Sequence, residues 1–256
     1  MNPEEISVFT TLGWNGKQKF FAVKQHMERL RNYANLSGIE YDEDIQKNII
    51  RLLKNTKYNE ISEKSKRKFG KPAGLITIRL SNNGSISVVE RSNNYNLNCE
   101  KINAITISAP DELKKFKGIK FGKHLMYRNA LRVAKSNNGN AALIVNNEAV
   151  IDGDRGSLMI LDENGTAWAS SSKYGSIESV TLKLINSKIN QKGIPLIFGK
   201  ITSNMILKAV DAVMVGTGIG VTRINTIDNR CFKFSSSRLI DTITEIFNEL
   251  YDEEWS

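Results

Sequence analysis

The 256-residue sequence predicts an α+β protein in two layered halves, on three observations. Segments of alternating, β-branched character are punctuated by turn signals such as Asn15-Gly16 and Asn82-Asn83-Gly84. Amphipathic stretches with apolar residues at helical spacing stand between groups of these strands. The charged stretch "APDELKKFKGIKFGK", 109–123, divides the chain into parts that can each bury a core. We take residues 1–112 as a small α/β domain, 113–120 as a linker and 121–256 as a larger domain.

In the first half, "ISVFTTLGWNGKQKFFAV" predicts a hairpin that turns at Asn15-Gly16. A helix follows in "KQHMERLRNYANLSG", where Met27, Leu30, Tyr33 and Ala34 share a face and Gly38 stops it. "DEDIQKNIIRLLKN" predicts a second helix, and "GLITIRLS", "SISVVER" and "INAITISAP" predict strands. In the second half, "KHLMYRNALRVAKSNNG" predicts a helix ended at Gly139, followed by strands "AALIVN" and "GSLMILD". "VTLKLINSKINQKG" is a helix again, "IPLIFG" a strand, and Thr202 or Ser203 caps a helix at "NMILKAVD". "AVMVG" is a strand. The closing helix carries Leu239, Ile243, Ile246, Phe247 and Leu250 on one face.

Lys and Arg number 36 against 27 Asp and Glu, a net charge of +9. The densest basic run, "KSKRKFGK" at 64–71, has one aromatic and no nucleic-acid motif, so it reads as a solvated loop. No nucleic-acid partner is expected, and an anionic small molecule is the alternative use of the charge. Cys99 and Cys231 match no metal or redox spacing, which fits a reduced interior and no metal site. No apolar run reaches the roughly 18 residues of a membrane span. "MNPEEISVF" also lacks the basic and apolar regions of a signal peptide. The expectation is a soluble cytoplasmic protein with no membrane partner.

"VGTGIGVTRI", 215–224, places three glycines after a strand. A dinucleotide fingerprint needs its glycines to open a helix, and β-branched residues follow here instead. A nicotinamide or flavin site is therefore excluded. On its own the stretch is a tight loop between strands.

Read in order with "HMERL", "GKHLMYRNAL" and "SVTL", however, it resembles the class IV aminotransferase family from about Ser7 to Phe232. That family comprises fold-type-IV pyridoxal-phosphate enzymes: branched-chain aminotransferases, D-amino-acid aminotransferases and aminodeoxychorismate lyases. The resemblance implies two domains, a small α/β sandwich and a larger pseudo-barrel, working as a homodimer with pyridoxal 5'-phosphate as cofactor. It implies that Lys123 is the Schiff-base lysine and catalytic proton shuttle. Tyr127 matches a tyrosine that hydrogen-bonds the cofactor phenolic oxygen, and Arg29 one that reaches its phosphate. The amides of Val180 and Thr181 at a helix start, with Gly216 and Thr217, complete the implied phosphate cradle. Gly218 and Ile219 are implied on the substrate carboxylate side. The implied reaction is amino transfer between an amino acid and a 2-oxo acid, of the branched-chain type. The alternative is a lyase that releases pyruvate, towards which the "KHL" triplet points.

The pattern breaks at one place. The family glutamate that pairs with the pyridine nitrogen falls on Ala169 in "GTAWASSSKYG", and only "SIE" then separates that stretch from "SVTL". The chain also starts at what is usually the family's second or third strand. Without the carboxylate the ring is a weaker electron sink, so the barrier should rise by several kcal/mol. A relative that binds the cofactor with little turnover is then a further alternative, with Glu178 as the nearest substitute carboxylate.

Overall fold

The computed structural model describes residues 6–17, 19–56, 58, 72–93, 101–109, 118–122, 124–232 and 234–254. The basic run at 64–71, Cys99 and Lys123 lie outside them.

Strands β1 (Ser7–Trp14), β2 (Gly74–Ser81) and β3 (Ile86–Ser92) form an antiparallel sheet in the order β1-β2-β3. Side chains alternate across it with period two. Val8, Leu12, Ile76, Ile78 and Leu80 face helices α1 (Val23–Leu36) and α2 (Glu43–Asn55), and pack with Met27, Leu30, Tyr33, Ile49 and Leu53. Asp42 caps α2 by accepting from the Ile45 amide. The opposite face carries Phe9, Thr11, Leu75, Thr77, Arg79, Ser87, Val89 and Arg91, all of which line a cleft.

The hairpin expected at Asn15-Gly16 is reduced to one bridge, Trp14 to Phe20. Both edges of β1 are already occupied. β2 pairs along one edge; on the other, the Phe9 amide donates to the Lys120 carbonyl and the Gly122 amide to that of Ser7. Phe20 and Phe21 enter the core instead, and Ala22, at φ 53°, turns the chain into α1.

The second sheet has ten strands. They are β4 (Lys101–Ser108), β5 (Ala141–Asn146), β6 (Ala149–Gly153), β7 (Ser157–Leu161), β8 (Ala167–Ser170), β9 (Leu196–Gly199), β10 (Ile201–Thr202), β11 (Asp211–Gly216), β12 (Gly220–Ile227) and β13 (Arg230–Cys231). Their order is β10-β6-β5-β4-β12-β11-β7-β8-β9, with β13 on β12. The sheet curls into a nearly closed pseudo-barrel, and the Ser170 hydroxyl on β8 donates to the Val150 carbonyl on β6 across the gap.

β4, grouped with the first half on sequence, is a central strand of this sheet, parallel to both β5 and β12. Helix α3 (Leu125–Ser136) lies in the connection that parallel pairing to β5 requires. β6 and β8 were not anticipated. Alternation again separates two surfaces: Leu158, Ile160, Ala212 and Met214 fill the barrel interior. Met159, Leu161, Val213 and Val215 meet helices α4 (Val180–Ile189) and α6 (Arg238–Glu253) outside. The five apolar residues expected on one face of α6 are all buried there, each contributing about 1.5–3 kcal/mol. Short helix α5 (Ser203–Leu207) is capped by Thr202, as its sequence suggests.

Buried Asp211 locks β11 to its surroundings. Its carboxylate pairs with Arg223 at 2.9 Å and accepts from the Ile240 amide in the first turn of α6.

Candidate active site

Between the cationic face of the small sheet and the rim of the barrel lies a cleft of about 500 Å³. At one end its polar groups are donors. Ser179 caps α4 by accepting from the Leu182 amide, which leaves the first-turn amides of Val180 and Thr181 for an outside acceptor. Gly216 closes β11 against the 153–156 turn. A Cβ there would lie 2.8 Å from the Arg155 carbonyl oxygen and 3.0 Å from the Gly156 Cα, so only glycine allows this approach. The Asn93 side-chain amide donates to the Gly218 carbonyl at 2.9 Å and pins the loop that presents Thr217.

Arg29 reaches the cleft from α1. Its Nη1 donates to the Glu178 carbonyl at 3.2 Å and its Nη2 to the Thr10 hydroxyl at 2.6 Å. The Thr10 hydroxyl lies 2.7 Å from His26 Nδ1, and Arg29 Nη2 is 3.3 Å from that same nitrogen. Burial, then the Arg29 charge, holds the His26 pKa well below its usual value, so the ring is neutral, and Nδ1 accepts because the Arg29 guanidinium beside it can only donate. His26 thereby helps to aim the guanidinium. The Arg29 Nε is buried with no partner among the described residues. An anionic group at the α4 N-terminus fits this donor set.

At the other end, Lys120 and Asp152 line the same cleft. Burial, reinforced by the Arg29 charge and opposed by Asp152, lowers Lys120 to about 7. Asp152, on β6, is raised to about 7 because burial outweighs its hydrogen bonds and the attraction of Lys120. Its carboxylate accepts from the Tyr127 hydroxyl at 3.0 Å, the Gly153 amide at 2.9 Å and the Ile177 amide at 3.4 Å. The two groups titrate as an interacting pair poised near neutrality.

The structure therefore brings Arg29, Tyr127, Val180, Thr181, Gly216, Thr217 and Gly218 into one cleft. The Ile219 side chain is instead buried in the barrel interior and does not line it. Lys123 lies outside the described residues, and the lysine seen in the cleft is Lys120.

Ala169, where the resemblance puts the family carboxylate's position, does not line the cleft. Ala169 sits in β8, paired with Met159 and packed under α4 and α6, away from the cleft. Of the two described carboxylates on the cleft, Asp154 pairs with Arg155, which leaves Asp152, a residue the sequence analysis did not single out. Its signal was an acidic residue closing a short apolar strand. Glu178 is exposed and contributes its backbone carbonyl.

Residues 7–227 match the amino-transferase class IV family. Among solved structures, the branched-chain aminotransferase of Thermoproteus uzoniensis with norvaline aligns at a TM-score of 0.76 and 21% identity, over 97% of this chain and 86% of that one. A 4-amino-4-deoxychorismate lyase candidate from Legionella pneumophila aligns at 0.77 and 19%, over 95% and 91%. A hypothetical aminotransferase from Mycobacterium tuberculosis in its pyridoxal-phosphate-bound form aligns at 0.74 and 14%, over 96% and 89%. A search of curated protein sequences finds no match. Among the described residues no helix is long and apolar enough to cross a membrane.

Proposed function

The chain belongs to the amino-transferase class IV family, and from that premise we propose that it transfers an amino group between an amino acid and a 2-oxo acid. The cofactor is pyridoxal phosphate. One observation carries the reading: a lysine and a carboxylate, both poised near neutrality, share a cleft whose far end is lined with anion donors.

When bound, the cofactor supplies an aldehyde that condenses with amines and a ring that draws electron density from the substrate carbon. Arg29, the Val180 and Thr181 amides, Gly216 and Thr217 would hold its phosphate. Lys120, unprotonated in large part near pH 7, provides the anchoring amine and a base that moves the substrate α-proton. Asp152 is the cleft carboxylate that would face the ring nitrogen and favour its protonated form. Tyr127 donates to Asp152 and so orients it.

The finer proposal is a branched-chain-type aminotransferase scaffold, and the homodimer implied by the resemblance is part of it. The second reading, elimination of pyruvate, is favoured by the triplet Lys123-His124-Leu125. Pyruvate release without a 2-oxo acid acceptor selects the lyase; conversion of the cofactor to its amine form selects the transferase.

The test is to add pyridoxal phosphate, record the visible spectrum, reduce with borohydride and map the modified peptide. The label is expected on Lys120 and lost in Lys120→Ala. A label on Lys123 returns the anchoring role to the lysine that the resemblance implies, and a label scattered over many lysines overturns both.

A further inference from the structure

Helix α3 starts on a residue poorly suited to the place. His124, its N-cap, stands in the left-handed region at φ 55°, which favours glycine and asparagine, and its side chain makes no capping bond. A capping side chain accepts from the amide of the second or third helical residue. Here the imidazole lies instead over the ring of the third residue, Tyr127, with ring centres 4.0 Å and planes 19° apart. Phe9 of β1 meets the imidazole edge to face at 5.2 Å. The Nε2 of His124 is buried with no hydrogen-bond partner among the described residues. A residue with a disfavoured backbone angle, no cap and an unmade hydrogen bond persists only where its neighbours fix it. For His124 those neighbours are two aromatic rings on the wall of the cleft.

Tyr127 in turn serves Asp152. Burial, then the Asp152 charge, raises the phenol well above its usual value, so the hydroxyl keeps its proton and donates to the carboxylate at 3.0 Å. The charged and titratable groups that bear on Asp152 are Tyr127, Lys120 from the segment before α3, and Arg29 and Tyr33 from α1. Beside the Gly153 and Ile177 amides, Tyr127 is its one hydrogen-bond donor among the described residues. Burial raises Asp152 to about 7, and the Tyr127 hydroxyl is one of the contacts that pull it back down.

We propose that His124 is a positioning residue: its ring, stacked on Tyr127, holds the phenol hydroxyl on Asp152 and so keeps the cleft carboxylate in place. Its use in amino transfer rests on the enzyme reading above. The imidazole is neutral, because burial and the charges of Lys120, Arg91, Arg128 and Arg79 hold it at about 2, so replacing it removes no charge from the cleft. Its effect on Asp152 then passes through Tyr127.

Titration of the Asp152 carboxyl carbon by NMR, in isotope-labelled, cofactor-free protein, separates this role from the chemistry; the signal is assigned by its loss in Asp152→Asn. His124→Asn suits the left-handed angle and the cap but removes the ring. Its Asp152 midpoint is expected to rise by about 0.5–1 pH unit, the size of one hydrogen bond. His124→Phe keeps an aromatic face and should leave the midpoint in place. Tyr127→Phe should raise it at least as far as His124→Asn does, and adding His124→Asn to that variant should move it no further. An unmoved midpoint in His124→Asn, an equal shift in His124→Phe, or additive shifts in the double variant overturns the positioning role. In the pyridoxal-phosphate-loaded protein the acid limb of amino transfer should follow the midpoint upward, since the carboxylate acts when charged. A raised midpoint in a protein that takes no cofactor label sinks the enzyme reading alone, and a single-lysine label with an unmoved midpoint sinks the positioning role alone.

Discussion

At the proposed phosphate end of the cleft the donors are main-chain amides at a helix start and a glycine turn, with one arginine held by Thr10 and Glu178. At the proposed amine end the titratable groups are two side chains, Lys120 on a segment paired to β1 and Asp152 on β6. Main-chain donors are fixed by local conformation and carry the same partial charge whatever the side chain. Side-chain chemistry depends instead on which way one residue points and how far it is buried. The first end tolerates sequence drift; the second depends on two positions and their shared electrostatics.

The sharpest way to break this contrast is at Asp152. Asp152→Asn keeps the shape but removes the charge, and amino transfer is expected to fall by about 10²–10⁴-fold. Phosphate binding should change little. Ala169→Glu is the complementary variant. It restores a glutamate where sequence alignment first placed one, yet the site is fully buried beneath α4 and α6. An unpaired carboxylate there should lower Tm by about 10 °C and gain no activity. Activity gained by that variant, or retained in Asp152→Asn, would return the role to position 169.

The contrast also explains what could be read from sequence. That "HMERL", "SVTL" and "VGTGIGVTRI" meet at one cleft was legible because an arginine on a helix, a helix start and a close-approach glycine are each visible locally. The place of Lys120 on the cleft was not, because it follows from the bonds of Lys120 and Gly122 to β1, a pairing that spans most of the first half. Asp152 was hidden because β6 is five residues long and ends in Asp-Gly, which imitates a turn. The layers, by contrast, were plain in the periodicity of α1, α2 and α6; β4 was misgrouped because its partners, β5 and β12, come later in the chain.

A smaller effect is expected at the phosphate end itself. Arg29→Lys keeps a positive charge but loses the planar fork and its ties to Thr10 and Glu178. Cofactor affinity, followed by titrating the visible band, should weaken by about 10–100-fold, with the main-chain donors still in place. A shift below about twofold would leave the main chain alone responsible for that end, sharpening the contrast further.

The smallest and most specific effect is in pH. The amine reacts with an aldehyde only when unprotonated, so the rate of cofactor attachment after its removal follows the free-base fraction of the reacting lysine. With Lys120 lowered to about 7, the rate should rise as pH is raised through about 7 and level off above about pH 8. A lysine at its ordinary value keeps gaining about tenfold per unit up to about pH 10. Asp152 attracts the ammonium and so raises the Lys120 value; removing that charge in Asp152→Asn should move the midpoint to lower pH. A rate that climbs without a plateau assigns the reaction to another lysine. A plateau that Asp152→Asn leaves in place separates the two side chains electrostatically, and the amine end would then rest on two independent groups rather than one coupled pair.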